Sequence, residues 1–146
     1  MKTYAYRIDA AHLPKGASAR IVWALNKWQK QSGGRVRFHP DSQEPNIIFS
    51  GAEPPPNEKN PLDPFEAYYF DLGNGVFSII FDPSVKWATT WLQRRSPWHH
   101  DFDKLALHEI GHVLLGPDHS EDPESLMYFK PKRAVIDAAS INAAIA

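Results

Sequence analysis

The sequence predicts a mixed α/β domain, one unit spanning residues 1–146, with elements in the order β-α-β-β-β-β-α-loop-α. Three observations predict it. The chain opens on an alternating stretch, an amphipathic segment with apolar residues at i, i+4 and i+7 follows, and a second helical segment comes only after several short β-rich runs. A chain of 146 residues suits one domain with a real core, and its hydrophobic (42%) and charged (23%) contents are ordinary globular values.

Thr3 to Ile8 places Tyr4, Tyr6 and Ile8 on one face and reads as a strand. In the segment from Ser18 to Trp28, Ser18 is a candidate N-cap and Ile21, Leu25 and Trp28 form the apolar stripe of a helix that Gly33-Gly34 stops. Short strands are expected at Arg35–Phe38 and Asn46–Ser50. The stretch from Gly51 to Pro64 carries five prolines and should hold little regular structure. Glu66–Asp71 and Val76–Phe81 flank Leu72-Gly-Asn-Gly75, the pattern of a hairpin. Asp82 to His100, with Trp87, Trp91 and Trp98, fits no single template. A second long helix starts near Asp101 or Asp103, either of which would complement its dipole, and a last helix lies near Asp137–Ala146.

Composition narrows the function. There are 16 Lys and Arg against 17 Asp and Glu, net −1, with no basic block, so phosphate-driven nucleic-acid binding is not expected. No apolar run is long enough for a membrane span, and the opening MKTYAYRIDAAHLPKG lacks the apolar core of a signal peptide. Cysteine is absent, so any metal must be held by His, Asp or Glu.

Residues 108–128, HEIGHVLLGPDHSEDPESLMY, carry the chemistry. On a helix at about 100° per residue, His108 and His112 share one side, about 6 Å apart along the axis, while Phe102, Ala106, Ile110, Val113 and Leu114 share roughly the opposite one. Two imidazoles so spaced can meet one ion. Zinc takes about four ligands and a catalytic site leaves one for water, so a third protein ligand is needed beyond the helix. Gly116-Pro117 turns the chain back and brings Asp118 or His119 as that ligand. Glu109, beside the first histidine, is the candidate general base toward a metal-bound water whose pKa the ion lowers to roughly 7, and the ion would polarise a peptide carbonyl.

With Met127 following in Ser125-Leu126-Met127-Tyr128, the chain resembles the metzincins, most closely the matrixins (matrix metalloproteinase-like catalytic domains). The segment His119-Ser-Glu-Asp-Pro-Glu-Ser-Leu-Met127-Tyr matches the matrixin spacing from third ligand to Met-turn. Tyr4-Ala-Tyr-Arg-Ile is similar to the first strand, Ile21–Trp28 to the first long helix, and Asn46-Ile-Ile-Phe to the third strand. Phe81-Asp82 through Trp87 resembles the segment after the fifth strand, and Ile141-Asn142 the closing helix. The resemblance implies a zincin-like fold: a twisted five-stranded mixed sheet, a long N-terminal helix, an active-site helix, a Met-turn and a C-terminal helix. It implies one catalytic Zn²⁺ and a zinc endopeptidase whose peptide or protein substrate lies extended along the edge strand, Glu66–Phe70, contacting Ala67, Tyr68 and Tyr69. Tyr128, Phe129 and Pro131 would wall the pocket for the residue after the scissile bond, expected to be apolar.

Departures from the family pattern matter. Matrixins have H-E-x-x-H-x-x-G-x-x-H, whereas Gly116 and His119 each stand one place late. Without a gap Asp118 takes the third-ligand position, as in the snapalysin-type metzincins; the match from His119 to Met127 favours histidine with one residue inserted. Tyr68 and Ile80 occupy the places of structural-zinc histidines, so that ion is expected to be missing. Asp71 and Asn74 could offer oxygens to Ca²⁺, though an Asn-Gly turn explains them. No prosegment with an inhibitory cysteine is visible, so either latency is handled otherwise or the chain is a processed or minimal catalytic unit, secreted if cut from a longer precursor and cytoplasmic otherwise. A monomer is expected.

Trp98-His-His-Asp-Phe-Asp103 reads as the lead-in to a helix, with capping acids and a packed tryptophan, rather than a second metal site. His12 and His39 read as surface residues, Tyr4, Tyr6, Trp23 and Trp28 as core, and Arg94-Arg95 as a solvated pair. The competing functions are a catalytically silent zinc-binding interaction module of the same fold and hydrolysis of a non-peptide amide.

Overall fold

The computed structural model describes residues 1–53 and 66–146. Most of the proline-rich stretch expected to be irregular, residues 54–65, lies outside the described residues. Strand β1 (Lys2–Ile8) leads through a 3-10 turn (Ala10–His12) into α1 (Ala17–Gln31), followed by β2 (Val36–Pro40) and β3 (Ile47–Gly51). The hairpin β4 (Ala67–Gly73) and β5 (Val76–Phe81) comes next, then β6 (Trp87–Ala88), the single turn α2 (Trp91–Arg94), β7 (His100–Asp101), α3 (Phe102–Leu115) and α4 (Ala138–Ile145). Among the described residues no helix is long and apolar enough to cross a membrane.

Five strands form one mixed sheet in the order β2-β1-β3-β5-β4, parallel except for the antiparallel edge strand β4. The pleat sorts the side chains. Tyr4, Tyr6 and Ile8 sit in register with Phe38, Ile47 and Phe49, which continue across the sheet to Phe77 and Ile79. This face meets the helices. Ile47, Phe49, Ile79 and Phe81 are fully buried there, because alternate residues of a strand share one side. Helix α1 contacts β2, α3 contacts β4 and β5, and the two helices pack on each other, so they lie side by side on the same face. Trp28 joins them: it is fully buried and its Nε1–H donates to the Leu107 carbonyl at 3.0 Å.

Several boundaries differ from the sequence expectation for local reasons. Helix α1 begins one residue before Ser18, with Gly16 as N-cap at φ 85° and no side-chain cap bond. Glycine reaches this left-handed conformation without a Cβ penalty, so the chain turns into the helix before a hydroxyl is needed. Strand β3 starts after Asn46, whose amide is used elsewhere: Oδ1 accepts from the Ala5 N–H at 2.8 Å and Nδ2 donates to the Gly75 carbonyl at 3.4 Å. The hairpin turn is tighter than the four residues expected. Only Asn74 (φ 55°) and Gly75 (φ 73°) lie between the paired residues Gly73 and Val76, and two residues with positive φ match the right-handed twist of the flanking strands.

The stretch that fitted no template folds as a tongue whose ends are held by pairing of β6 with β7. Thr90 and Gln93 cap α2 reciprocally. Trp87 is buried, donates from Nε1 to the Asp82 carbonyl at 2.8 Å, and meets Phe81 and Phe102 edge-on. Trp98, expected to pack at the start of α3, is 77% exposed instead. The Ser96-Pro97 turn, with Ser96 Oγ accepting from the Trp98 N–H at 3.3 Å, carries it outward, and Phe102 takes the inner position.

Asp101 caps α3, its carboxylate accepting from the Lys104 N–H at 3.3 Å. Asp103 does other work. Its buried carboxylate receives Arg20 through two bonds of 2.7 Å and Arg94 at 2.9 Å, which ties α1 and α2 to the first turn of α3. Arg94 is therefore engaged rather than a solvated partner of Arg95, which stacks 4.9 Å over Trp91.

Replacing Asp103 with Asn leaves two arginines without their counter-charge, but both reach solvent and can rehydrate. The Asp103→Asn variant should therefore lose about 2–3 kcal/mol, below the full cost of breaking an enclosed pair, read as a lower urea midpoint at unchanged m-value.

Candidate metal and catalytic centre

Helix α3 runs past His108 and His112 to Leu115, and its C-cap is Gly116 at φ 95°, whose N–H donates to the His112 carbonyl at 2.9 Å. Each histidine is fixed through its Nδ1. That of His108 donates to the Leu126 carbonyl at 2.7 Å, and that of His112 to the Gly116 carbonyl at 2.9 Å. A carbonyl oxygen only accepts, so both rings carry their proton on Nδ1 and turn an unprotonated Nε2 inward. Those two Nε2 atoms stand 3.1 Å apart, lone pair to lone pair.

Two neutral nitrogens so close, with no proton between them, ask for a cation. Tetrahedral zinc with Zn–N of 2.0–2.1 Å has ligand nitrogens roughly 3.3 Å apart, close to this separation. His119 completes the group: its ring centroid lies 5.4 Å from that of His108 and 5.0 Å from that of His112. One nitrogen from each of the three falls within 4.8 Å of the others, so the donor set fits a zinc ion. Asp118 lies outside this group and is exposed.

The surroundings hold the rings from several sides. Tyr69 of β4 stacks on His112 at 5.4 Å and 22°. Beneath the helix, Gly111 lets Met127 approach closely: a Cβ there would run into Met127 Sδ and come within 3.3 Å of Trp28, so the methionine would have to shift. The turn that carries Met127 is pinned by Asp137. Its Oδ1 accepts from the Leu126 N–H at 2.9 Å, the Ser125 hydroxyl at 3.2 Å and the Ser140 hydroxyl at 2.8 Å, and Oδ2 accepts from the Ser140 N–H at 3.1 Å. Burial works against this carboxylate, but the donated bonds prevail and hold its pKa below the usual range. Past His119, the Ser120 N–H donates to the Met127 carbonyl at 2.8 Å, so the segment after the third histidine is tied to the same turn.

Glu109 is 5% exposed, and burial pushes its carboxyl up to about 8. Among the described residues it receives no side-chain or backbone hydrogen bond, which leaves its oxygens free. Burial acts oppositely on His108, holding it down at about 4, and lowers His112 as well.

These residues floor a cleft of about 820 Å³. Ala67, Tyr68 and Tyr69 line it from the edge strand, with Phe129 and Pro131 opposite. Tyr128, assigned to the same wall from sequence, is not among the lining residues; its backbone N–H closes the turn onto the Ser125 carbonyl at 3.2 Å. Tyr68 and Ile80 are paired across the hairpin, and Asp71 Oδ1 accepts the Gly73 N–H at 2.9 Å within the turn. Sequence reasoning did not find Gly111 or the turn-holding role of Asp137. The glycine inside H-E-I-G-H was a usable signal, since a helix interior otherwise disfavours glycine.

The matrixin family profile matches residues 2–141. The chain belongs to the matrixin family, and is a zinc metallopeptidase acting on peptide or protein substrates. No curated protein matches the sequence.

Proton linkage follows from the two opposed shifts. In metal-free protein the raised Glu109 carboxyl favours folding below about 4.5, and that contribution is lost as pH rises through about 8. The lowered His108 contributes above 6.5 and loses its contribution as pH falls toward about 4. At pH 7, then, Glu109 holds a proton and His108 does not. A nearby dication favours the carboxylate, so zinc uptake at pH 7 should expel the Glu109 proton. Calorimetric titrations in buffers of different ionisation enthalpy should show about one proton fewer released by Glu109→Gln than by the parent.

Proposed function

We propose that this matrixin is an endopeptidase in which His108, His112 and His119 hold a single zinc ion and Glu109 is the general base and acid of peptide hydrolysis. The observation that carries this reading is the pair of facing Nε2 lone pairs, joined by a third imidazole and flanked by a buried, unbonded carboxyl. When bound, zinc would acidify water and polarise the scissile carbonyl. Glu109, ionised beside the ion, takes the proton of the attacking water and later delivers it to the leaving nitrogen. Its lack of other hydrogen bonds leaves both oxygens available for that transfer.

The substrate binds as an added strand. Strand β4 is the sheet's edge, and an extended peptide running antiparallel to it would pair with backbone groups along that edge. Ala67, Tyr68 and Tyr69 supply that wall, and Phe129 and Pro131 the apolar side of the pocket beyond the scissile bond. Tyr128 would act by shaping the turn from behind. The matched residues 2–141 act as one catalytic domain working as a monomer, and the net charge of −1 supports no nucleic-acid role.

A catalytically silent module of the same fold is the alternative. A carboxyl that burial pushes up to about 8 is costly to ionise, and a site that only held a metal would gain by losing it. Its retention favours turnover.

Zinc-loaded Glu109→Ala should keep its metal and lose at least about 100-fold in kcat on a quenched peptide library, with chelator abolishing cleavage by the parent. Cleavage by this variant at the parental rate would remove Glu109 from the mechanism.

For the third ligand, His119→Ala should weaken zinc affinity at least about tenfold more than Asp118→Ala, measured by competition with a chromophoric chelator. The opposite ranking would assign the ion to Asp118 and the snapalysin-like geometry.

A further inference from the structure

The cleft is lined by two lysines, Lys104 and Lys130, that the proposed chemistry does not use. Lys104 stands one turn before His108 on the same side of α3, half-buried, and lines the cleft. Its ammonium has no ion-pair or hydrogen-bond partner among the described residues; only its backbone N–H is engaged, by Asp101. The other charges lining the cleft are otherwise occupied. Glu66 pairs with His100 Nδ1 at 2.5 Å, Asp71 accepts from its own turn, and Lys130 lies 5.7 Å over the Phe129 ring. Glu109 is five residues on, about 140° around the helix from Lys104.

A lysine on an open surface needs no explanation, since its stem packs and its head stays in water. Here the residue is half-buried and lines the cleft that a bound peptide would enter. An occupant strips water from the ammonium, and the cost depends on what replaces that water. A neutral side chain leaves the charge unpaired, whereas a carboxylate returns a charge-assisted hydrogen bond.

We infer that Lys104 is a specificity-determining residue that selects peptide substrates bearing an aspartate or glutamate side chain at the position lying against the first half of α3. The inference rests on the peptidase reading above and deepens it. It assigns a polar, charge-selective point to a cleft whose opposite wall is apolar.

The test uses the full zinc-loaded chain and quenched peptides sharing one cleavable core, with Glu, Gln or Lys placed in turn at each position around the scissile bond. Glu and Gln differ in charge at nearly constant shape, so their ratio of kcat/KM isolates the ion pair. At one position the parent should favour Glu over Gln by about tenfold, and less as salt rises. Lys104→Met should bring that ratio close to one there and leave the ratios elsewhere unchanged, and Lys104→Glu should favour Lys. An equal Glu preference in Lys104→Met, or no position preferring Glu in the parent, overturns the assignment. Zinc content and near-ultraviolet circular dichroism confirm that the variants are folded. The same peptides are titrated by fluorescence anisotropy against zinc-loaded Glu109→Gln, so the charge preference is read in binding even if no peptide is cleaved. Absence of chelator-sensitive cleavage would count against the peptidase, and absence of a Lys104-dependent Glu preference in binding against this inference.

Discussion

The structure depends on two imidazole nitrogens held lone pair to lone pair at 3.1 Å. Left to themselves the rings would rotate, or one would take up a proton and bridge to the other. Neither happens, because both Nδ1 positions are committed to carbonyls, Leu126 on one side and Gly116 on the other. The scaffold can be read as the means of fixing those two carbonyls. Asp137 holds the Leu126 turn from α4, and the Gly116 carbonyl is placed by the helix terminus itself. Trp28 and Gly111 let α3 sit close to α1 and to Met127, so the rigid body that carries the rings has little freedom to relieve the repulsion. The arrangement thus presents two unprotonated nitrogens that a cation can bridge.

Burial sets the electrostatics and acts in opposite directions on neighbouring residues. It keeps His108 neutral far below its ordinary range, which suits a metal ligand, and it keeps the Glu109 carboxyl protonated, which does not suit a base. A dication a few ångströms away reverses only the second effect, because it opposes protonation of everything near it. On the proposed reading, the site acquires its base together with its metal. Without the ion, the neutral acid beside neutral histidines is the state that a dry pocket tolerates best.

What was legible in the sequence was what is encoded locally. Helical spacing placed His108 and His112 on one side, alternation grouped Tyr4, Tyr6 and Ile8 on one face, which the structure turns toward the helices, and Asn74-Gly75 announced the hairpin. Less legible was whatever depends on partners distant in the chain. Asp103 looked like a capping acid, and only the approach of Arg20, 83 residues away, makes it a tie between helices. Asn46 looked like a strand residue until its amide was claimed by Ala5, 41 residues earlier. Trp98 was assigned to packing on hydrophobicity alone, yet a Ser-Pro turn decides where a residue points before its hydrophobicity can. Lys104 carried no signal, because an unpaired charge is recognised only against a full account of its neighbours.

The late histidine is the instructive case. One additional residue before the third histidine should displace it by a full helical step if the helix simply continued. Instead α3 stops at Leu115, and Gly116 leaves it at φ 95° and ψ −176°, a conformation a residue with a side chain would resist. That single reversal consumes the added length, Pro117 prevents the chain from resuming a helix, and His119 arrives beside the other two rings while Asp118 is turned to solvent. The Gly116 carbonyl freed by the same reversal is the one that fixes the His112 tautomer. The insertion and the ring orientation are thus one device, and a chain that lacked the glycine would have to give up both.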